Sequence, residues 1–204
     1  QGYNEPYYFA PAAEPFHEVI TPWQRSFQNS IGKNHARYFD SNGWLYFTKQ
    51  VFDLLYPSYG DTYPTYNGSI GMTYEQGGIG AGLGVINKDE DTLTLTDRAL
   101  HHFTTSMSTI EVAANQSGSL ISEFRKYFNQ AVSTGQGVYK SYLIRNRPQD
   151  AVRIRALQQL LDRNGIRYEQ ATAGPVKGVH YATGKETMIT AQAGDLVIST
   201  LQPR

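Results

Sequence analysis

The spacing of hydrophobic residues predicts a long helix near the start of the chain. Thr21 followed by Pro22 is typical of a helix start, because the threonine hydroxyl can cap the first turn and proline tolerates the first helical position. The stretch from Asp40 to Gly43 ends the pattern. The residues that share one predicted face are Trp23, Phe27, Ile31, His35, Tyr38 and Phe39.

Two more helices are predicted further along the chain. The first runs from about Thr96 to Gln116, with Asp97 in the first turn, where the helix dipole favours an acid. Its apolar residues are Ala99, Leu100, Phe103, Met107, Ile110, Val112 and Ala114. The second follows Ser117 and Gly118, and its apolar residues are Leu120, Ile121, Phe124, Tyr127, Phe128 and Val132.

The other segments before residue 92 show shorter patterns. Residues 1–20 are rich in aromatics and proline and predict irregular loop, and residues 56–68 predict a long, turn-rich loop. Residues 44–55 are apolar and fit a strand, a helix or both. Residues 70–74 predict a short strand that leads to Glu75.

The last third of the chain predicts a β-α-β unit. Residues 138–144 predict a strand, a helix begins at Pro148 and is closed by Asn164 and Gly165, and residues 166–170 predict the next strand. Such a unit favours a parallel pair joined by a right-handed crossover. Shorter strand-like runs follow at 176–181, 186–191 and 195–200.

Together these elements predict an α/β protein, with a partial mixed sheet and flanking helices followed by a β-α-β segment. We expect one domain at 1–118, a helix and linker at 119–137, and a second α/β domain at 138–204. The chain opens without methionine or a signal segment and stops directly after a strand-like run. We therefore expect it to be a piece of a longer protein.

Composition excludes several classes of function. The 204 residues carry 18 basic and 18 acidic side chains, so no basic field is available for phosphates and nucleic-acid binding is not expected. No apolar run approaches the roughly 18 to 20 residues that cross a bilayer. Cysteine is absent, which excludes disulfides and thiolate metal sites. Tyrosine, at 15 residues, clusters before position 75 and fits either a polar binding cleft or half-buried surface aromatics.

Common catalytic motifs are missing. The glycines between residues 77 and 84, in a predicted loop and charged turn at 77–92, match neither G-x-G-x-x-G nor the phosphate-loop G-K-[ST]. No G-x-S-x-G motif is present. The histidines form no H-x-x-E or H-x-x-x-H pair, and we expect His101 and His102 to point to different sides of their helix. Each histidine is interpreted as a surface or a satisfied core residue: His17, His35, His101, His102 and His180.

One carboxylate is left as a candidate for chemistry. Glu75 stands at the end of the predicted strand and is followed by glycines. A carboxylate near an apolar wall can have its pKa raised and act as a general base. The alternative is a structural acid that bonds to loop amides.

Four stretches of the chain resemble bacterial zinc carboxypeptidases, and more narrowly the large exported carboxypeptidase-like proteins common in the Bacteroidetes. They are Y-Y-F-A-P-A-A-E-P (7–15), Y-P-S-Y-G-D-T-Y-P (56–64), G-S-I-G-M-T-Y-E-Q (68–76) and L-T-D-R-A-L-H-H-F (95–103). The resemblance covers about residues 1–116, and its most specific piece, G-M-T-Y-E-Q, takes the place of the strand that carries the family's catalytic glutamate. It implies that Glu75 deprotonates a zinc-bound water, which attacks a peptide carbonyl, and then passes the proton to the leaving amine.

The same resemblance implies roles for the turn-rich loop. Tyr56 or Tyr59 matches a tyrosine on a mobile loop that closes over the substrate, and the sequence does not choose between the two. Gly60, Asp61 and Thr62 match the wall of the family's side-chain pocket. Loop packing is the alternative for all five residues.

The zinc ligands of the family, an H-x-x-E pair and a later histidine, have no match in this sequence. A catalytic zinc needs three protein ligands and an open position. The resemblance therefore implies zinc in the parent protein, none in this chain, and no activity of this chain alone. It also implies a peptide substrate, the remainder of the same polypeptide as partner, and a secreted or periplasmic location.

Residues 138–204 resemble known proteins less specifically. The run from Arg147 to Ile166 fits the opening of a flavodoxin-like or glutamine-amidotransferase-like α/β domain, but no nucleophilic cysteine is present. We interpret this part as a structural or binding accessory domain. The alternative function for the whole chain is a non-catalytic module that holds a peptide or a glycan in a tyrosine-lined cleft.

Overall fold

The chain folds into two compact units of mixed α/β structure. The computed structural model describes residues 6–78, 80–87, 90–135 and 137–203. The units are Gln1–Arg125 and Lys126–Arg204, so the division falls inside the segment 119–137 that was predicted to be helix and linker. In the described ranges the sheets have two or three strands, and none closes into a barrel.

Some sequence predictions fall on residues outside the described ranges. These are the two chain ends at Gln1 and Arg204, Ile79 in the glycine run, and residues 88–89 in the predicted charged turn. Among the described residues, no helix combines the length and the apolar character needed to cross a membrane.

The structure describes four helices that begin in the first unit. They are α1 (Pro22–Asn42), α2 (Thr62–Tyr66), α3 (Leu95–Asn115) and α4 (Ser117–Ser133), of which α4 continues into the second unit. At the start of α1, the Gln24 amide donates to Thr21 Oγ1 at 3.2 Å and the Thr21 amide donates to Gln24 Oε1 at 2.9 Å. Gly43, with φ of 68°, ends α1 in the left-handed conformation. The predicted first helix is confirmed.

Helix α3 has the same kind of start. The Asp97 amide donates to Thr94 Oγ1 at 3.2 Å, and the Thr94 amide donates to Asp97 Oδ2 at 2.9 Å. These bonds from Thr94 lower the pKa of the Asp97 carboxyl. The predicted helix, with its acid in the first turn, is confirmed.

Short strands pair in three small sheets of the first unit. They are β1 (Tyr7–Tyr8), β2 (Ala13–Phe16), β3 (Tyr46–Phe47), β4 (Asp53–Leu54), β5 (Gly84–Ile86) and β6 (Thr92–Thr94). β1 pairs with β3 and β2 with β4, both in parallel, whereas β5 and β6 form an antiparallel hairpin. Residues 44–55, which fitted a strand or a helix, therefore contain two strands.

The prediction of irregular loop over residues 1–20 is wrong for the described part of that range, residues 6–20, which contains β1 and β2. Tyr7, Tyr8 and Phe9 are 0%, 1% and 0% exposed, because their rings fill the core of the first unit. The Phe9 ring stacks on Tyr46 at 4.6 Å between centroids, and Phe39 of α1 meets Phe9 edge-on at 5.2 Å. A segment rich in aromatics and proline thus supplies strands β1 and β2 and two of the buried rings of this core, Tyr7 and Phe9.

The prediction of a strand over residues 70–74 is also wrong, since in the described residues this segment forms no ladder with another strand. Side chains of α1 bind its backbone instead. Gln24 Nε2 donates to the Ser69 carbonyl and Gln28 Nε2 donates to the Gly71 carbonyl, each at 2.8 Å. The buried glutamine amides therefore satisfy carbonyls that a neighbouring strand would otherwise bind.

The contact between α1 and α3 combines an apolar cluster of Phe27, Ile31 and Val112 with a polar part. His35 Nδ1 lies 2.7 Å from Ser108 Oγ, and Asn34 Nδ2 donates to the same oxygen at 2.8 Å. The buried residues of α3 are His101, Thr105, Ser108 and Val112. The predicted apolar residues Leu100, Phe103, Met107 and Ile110 are 44–62% exposed. These four apolar residues of α3 therefore lie on its outer face, whereas the predicted apolar residue Val112 is buried against α1.

Besides the end of α4, the described residues of the second unit form one further α-helix and five strands. They are β7 (Ser141–Ile144), α5 (Ala151–Arg163), β8 (Glu169–Gln170), β9 (Gly174–His180), β10 (Lys185–Ala191) and β11 (Leu196–Ser199). β9 and β10 form an antiparallel hairpin, and the other strands form a sheet in the order β7-β11-β8. The last three predicted strands are confirmed. The expected parallel pair is wrong, because β11 lies between β7 and β8 and runs antiparallel to both.

Asp195 explains why β11 lies beside β7. Its carboxylate accepts hydrogen bonds from Arg145 Nη1 at 2.8 Å and from the Asn146 amide at 3.0 Å, both just after β7. The Gln192 amide donates to it at 2.9 Å. Burial raises the pKa of Asp195, but these donors together outweigh burial and lower it. The ionised carboxylate thus holds the start of β11 against the end of β7.

Candidate functional site around Glu75

Glu75 has a fixed backbone and a half-buried side chain. The Tyr8 amide donates to the Glu75 carbonyl at 2.7 Å, and the Glu75 amide donates to the Tyr8 carbonyl at 3.0 Å. This pair is an isolated antiparallel bridge between β1 and the segment that ends in Glu75. The backbone of the candidate base is therefore held by two hydrogen bonds, although the predicted strand in front of it does not form.

The residues next to Glu75 along the chain bind α3. Tyr74 Oη lies 2.6 Å from Thr109 Oγ1, and burial raises the pKa of Tyr74 to about 12. Gln76 Oε1 lies 2.5 Å from His101 Nδ1. Glu75 thus lies between two residues that are anchored to the same helix.

The second histidine of α3, His102, contacts Tyr7 in the same region. His102 Nδ1 lies 2.9 Å from Tyr7 Oη, and Tyr7 Oη lies 2.8 Å from Thr105 Oγ1. Burial lowers the pKa of His102, and the charge of Glu75 acts in the opposite direction. Burial also raises the pKa of the Tyr7 hydroxyl, with a further contribution from Glu75. These effects place the Glu75 charge in the neighbourhood of Tyr7 and His102.

His101 is buried and His102 is exposed, as expected for adjacent residues that point to different sides of their helix, yet both rings lie near Tyr7. Their rings lie 5.8 and 5.1 Å from the Tyr7 ring. His101 is buried, and burial lowers its pKa to about 4, so it is neutral at physiological pH. His102 is exposed and belongs to the candidate site, whereas His101 supports Gln76 from the interior.

The structure separates the five predicted substrate-binding residues into two groups. Tyr56, Tyr59 and Gly60 are exposed, and the two tyrosine rings meet edge-on at 5.5 Å. Asp61 is half-buried and Thr62 is fully buried. The three exposed residues can contact a ligand. The buried Thr62 side chain cannot, and it contacts Asp61 instead.

Asp61 is held by hydroxyl groups close to the Glu75 segment. Thr73 Oγ1 donates to Asp61 Oδ2 at 2.6 Å, and Thr62 Oγ1 donates to Asp61 Oδ1 at 3.1 Å. The charge of Asp61 adds to burial in raising the pKa of Tyr8, whose backbone pairs with Glu75. Asp61, Thr62, Tyr8 and Glu75 are thus connected in one region of the first unit.

The glycine loop after Glu75 is tied to the first turn of α3. Arg98 Nη1 donates to the Gly78 carbonyl at 2.7 Å, and Arg98 Nη2 donates to the Gly82 carbonyl. Arg98 Nε donates to the Thr94 carbonyl at 3.3 Å. The loop therefore binds a guanidinium of its own chain, which fits the absence of a nucleotide motif in the sequence.

Sequence reasoning missed Tyr7, Arg98 and His102 as parts of this region. Tyr7 was placed in a loop, and the two charged or titratable residues were taken as ordinary helix positions. Arg98 and His102 lie in the first two turns of α3, and all three residues lie in stretches that carry the family resemblance, 7–15 and 95–103. Across the described portion of the chain, no three histidines, aspartates or glutamates are grouped so that they could hold a metal ion.

The comparisons with known proteins give no relative. No protein-family model, no curated protein and no solved structure matches the chain.

Proposed function

We propose that this chain is the part of a zinc carboxypeptidase-like peptidase that carries the general base, Glu75. The observation that supports the proposal best is the placement of Glu75. Its backbone is fixed by two hydrogen bonds to Tyr8, and its half-buried carboxylate lies near Tyr7 and His102. A general base needs a fixed position, and the two backbone hydrogen bonds to Tyr8 favour one for Glu75.

The residues of this chain do not fit a complete zinc site. Zinc in a catalytic site needs three protein ligands, and the described residues contain no group of three suitable side chains. We therefore propose that zinc is held by residues of the parent protein outside this chain. The part that Glu75 takes in hydrolysis is to accept a proton from the attacking water and to release it to the leaving amine.

The outer face of α3 supports the idea that the first unit packs against further protein. Leu100, Phe103, Met107 and Ile110 form an apolar stripe. The charged residue of α3 between Ala99 and Ala114 is Glu111, and hydrogen bonds from Asn34, Arg37 and Tyr38 hold it toward α1. Contiguous exposed apolar surface of this kind is typical of an interface. We propose that the remainder of the same polypeptide covers it, so that this unit is the C-terminal half of a carboxypeptidase-like domain.

The proposal extends to the other predicted features. Tyr56 or Tyr59 would close over the end of a bound peptide, and Asp61, supported by Thr62, would form part of the pocket wall. The second unit, whose described three-stranded sheet is antiparallel, would be an accessory domain with a structural or binding role. The parent protein would be secreted or periplasmic.

The test uses the complete coding sequence that contains these 204 residues. We expect the complete protein to bind zinc stoichiometrically and to release C-terminal residues from peptides. Glu75→Gln should lower kcat at least about 100-fold while zinc remains bound, because general-base catalysis contributes factors of this size. Glu14→Gln, at an exposed acid of β2, is the matched control and should leave kcat unchanged.

Two results would contradict the proposal. One is a complete protein without zinc. The other is a Glu75→Gln variant that keeps its activity.

A second candidate function rests on the exposed tyrosines. Tyr56, Tyr59 and Tyr63 are 56%, 59% and 47% exposed, and aromatic side chains of this kind can hold a peptide or a glycan without catalysis. In titration calorimetry, the 204-residue chain would then bind oligopeptides or oligosaccharides by itself. Tyr56→Ala should weaken binding, whereas Tyr181→Ala in the second unit should not. Binding that both variants retain equally would exclude this function.

A further inference from the structure

Tyr7 connects His102 to the backbone of α3 through a chain of polar contacts. Tyr7 Oη lies 2.9 Å from His102 Nδ1 and 2.8 Å from Thr105 Oγ1. The Thr105 hydroxyl is also 3.1 Å from the carbonyl of His101 and 3.1 Å from the carbonyl of His102. A carbonyl can only accept a hydrogen bond, so this end of the chain has a fixed direction.

The direction of the other bonds follows from counting the protons. If Thr105 donates to a carbonyl, its oxygen is left to accept the Tyr7 proton, and the Tyr7 oxygen then accepts a proton from His102 Nδ1. All three contacts are hydrogen bonds in this arrangement. In the reverse arrangement, Thr105 donates to Tyr7 and Tyr7 donates to His102, so the contact with the carbonyls is lost. The first arrangement makes one more hydrogen bond than the reverse arrangement. It is favoured because an unmade hydrogen bond of a buried polar group costs free energy.

The ionisation of the neighbours is compatible with this arrangement. Burial raises the pKa of Tyr7, so its hydroxyl stays protonated, and burial lowers the pKa of His102, so its ring is neutral at physiological pH. The titratable groups around His102 are Glu75, Tyr7 and the adjacent His101. A neutral imidazole carries one proton, so a proton on Nδ1 leaves a lone pair on Nε2.

We infer that Tyr7 and Thr105 hold His102 as the Nδ1–H tautomer, so that Nε2 is a hydrogen-bond acceptor in the site beside Glu75. His102 is an exposed residue whose Nδ1 edge faces the buried Tyr7 hydroxyl, so the Nε2 edge is the one open to a ligand. It would accept from an N–H or O–H group of a molecule bound at Glu75, such as the amine end of a peptide. The tautomer itself needs no assumption about function, whereas the ligand rests on the proposed function of Glu75.

The test is nuclear magnetic resonance on the 204-residue chain with ¹⁵N-labelled histidine. Long-range proton–nitrogen correlations distinguish the two tautomers of each ring. We expect Nδ1–H for His102 at about pH 7.5, a pH at which neutral histidine predominates. The exposed His180 serves as an internal control for an unconstrained ring. An Nε2–H signal for His102 in the unmodified protein would overturn the inference.

Two variants test the direction of the hydrogen bonds. Tyr7→Phe removes the acceptor of the Nδ1 proton, and Thr105→Val removes the acceptor of the Tyr7 proton. In both variants His102 should shift toward Nε2–H, in the second because the Tyr7 hydroxyl turns to donate to Nδ1. In the reverse arrangement Thr105→Val would leave the tautomer of His102 unchanged. That result would contradict the proposal, and it can be obtained even if the Tyr7→Phe variant does not fold.

A separate measurement tests whether the Glu75 charge lies close to His102. Glu75→Gln removes a negative neighbour and should lower the pKa of His102 in an NMR titration, whereas Glu14→Gln should not. An unchanged pKa would remove Glu75 from the surroundings of His102. A complete protein without peptidase activity would contradict the proposed function but would leave the tautomer result standing, so the two failures can be told apart.

Discussion

The two faces of α3 are reversed relative to the usual amphipathic helix. The face toward α1 buries His101, Thr105 and Ser108, whereas the opposite face exposes Leu100, Phe103, Met107 and Ile110. Each buried hydroxyl and each imidazole Nδ1 of the inner face has a partner on another element, such as His35 for Ser108 at 2.7 Å, whereas the buried Nε2 atom of His101 has none among the described residues. A stripe of hydrophobic residues therefore shows that a helix is amphipathic, but it does not show which of the two faces packs against the rest of this unit.

The test with the largest expected effect replaces phenylalanine by alanine at two positions, one in the buried core and one on the outer face of α3. Phe39→Ala removes a fully buried ring of α1 and should lower the free energy of unfolding by about 3–5 kcal/mol. Phe103→Ala on the outer face of α3 should change it by less than about 0.5 kcal/mol. Urea denaturation followed by circular dichroism measures both. Equal losses for the two variants would mean that the outer face is covered in the chain as it stands.

A second test compares two glycines in helices. A Cβ on Gly32 of α1 would lie 2.2 Å from the Ala10 carbonyl oxygen, a backbone atom that cannot move aside easily. Gly32→Ala should therefore cost about 2 kcal/mol or more, despite the better helix propensity of alanine. A Cβ on Gly118 of α4 meets nothing within 4 Å, so Gly118→Ala should stabilise the protein by up to about 1 kcal/mol. If both variants were stabilised, the inner packing of α1 would be looser than described.

The third test uses pH to act on the buried polar groups. Burial lowers the pKa of His35 and of His101 to about 4, from about 6.5 in the unfolded chain. Between these values the unfolded state binds more protons, so stability should fall as the pH drops from 6.5 toward 4, by about 2 kcal/mol for each histidine. Asp97 and Asp195, whose pKa values are lowered, titrate below this window.

Urea denaturation at pH 7 and at pH 4.5 measures this loss. His35→Asn keeps a polar atom near the position of Nδ1 but does not titrate, so it should lose about half as much stability over the same range. His180→Asn, at an exposed position, should lose as much as the unmodified protein. A His35→Asn variant as sensitive to acid as the unmodified protein would disprove the role of the buried imidazole.

The smallest effect on stability is expected on the outer face. Met107→Gln together with Ile110→Gln should leave the free energy of unfolding within about 0.5 kcal/mol for each site, since both side chains are about half exposed or more. The same pair should reduce the binding of an apolar fluorescent dye, because it interrupts the exposed stripe. Unchanged dye binding would show that the stripe is not the main apolar surface of the chain.

The sequence predicted those elements whose signals are local. The start of α1 at Thr21 and the acid cap of α3 at Asp97 involve residues within one helical turn, and both are present. The strand predicted at 70–74 failed because its carbonyls bind Gln24 and Gln28, more than 40 residues away in the chain. The parallel pair predicted in the second unit failed because β11 enters the sheet from later in the chain.

The candidate site shows the same limit. Glu75 stood out as a lone acid before a glycine loop, and the structure places it at a fixed point of the backbone. Its neighbours could not be predicted, since Tyr7 and His102 are separated by 95 positions and meet only through the tertiary fold. The role of Glu75 and of Tyr56, Tyr59, Gly60, Asp61 and Thr62 in binding or catalysis stays a prediction.

The glutamine pair on α1 has a consequence for the alignment of the segment that leads to Glu75. Gln24 and Gln28 are one helical turn apart, which spans about 6 Å along the axis. They bind the carbonyls of Ser69 and Gly71, and two residues of extended chain span about 6.6 Å. The two spacings agree, so one turn of α1 matches the length of two residues of the extended segment. A slip by one residue would turn both carbonyls away from their donors, and an insertion between Gly71 and Glu75 would displace the carboxylate while the segment before it stayed in place.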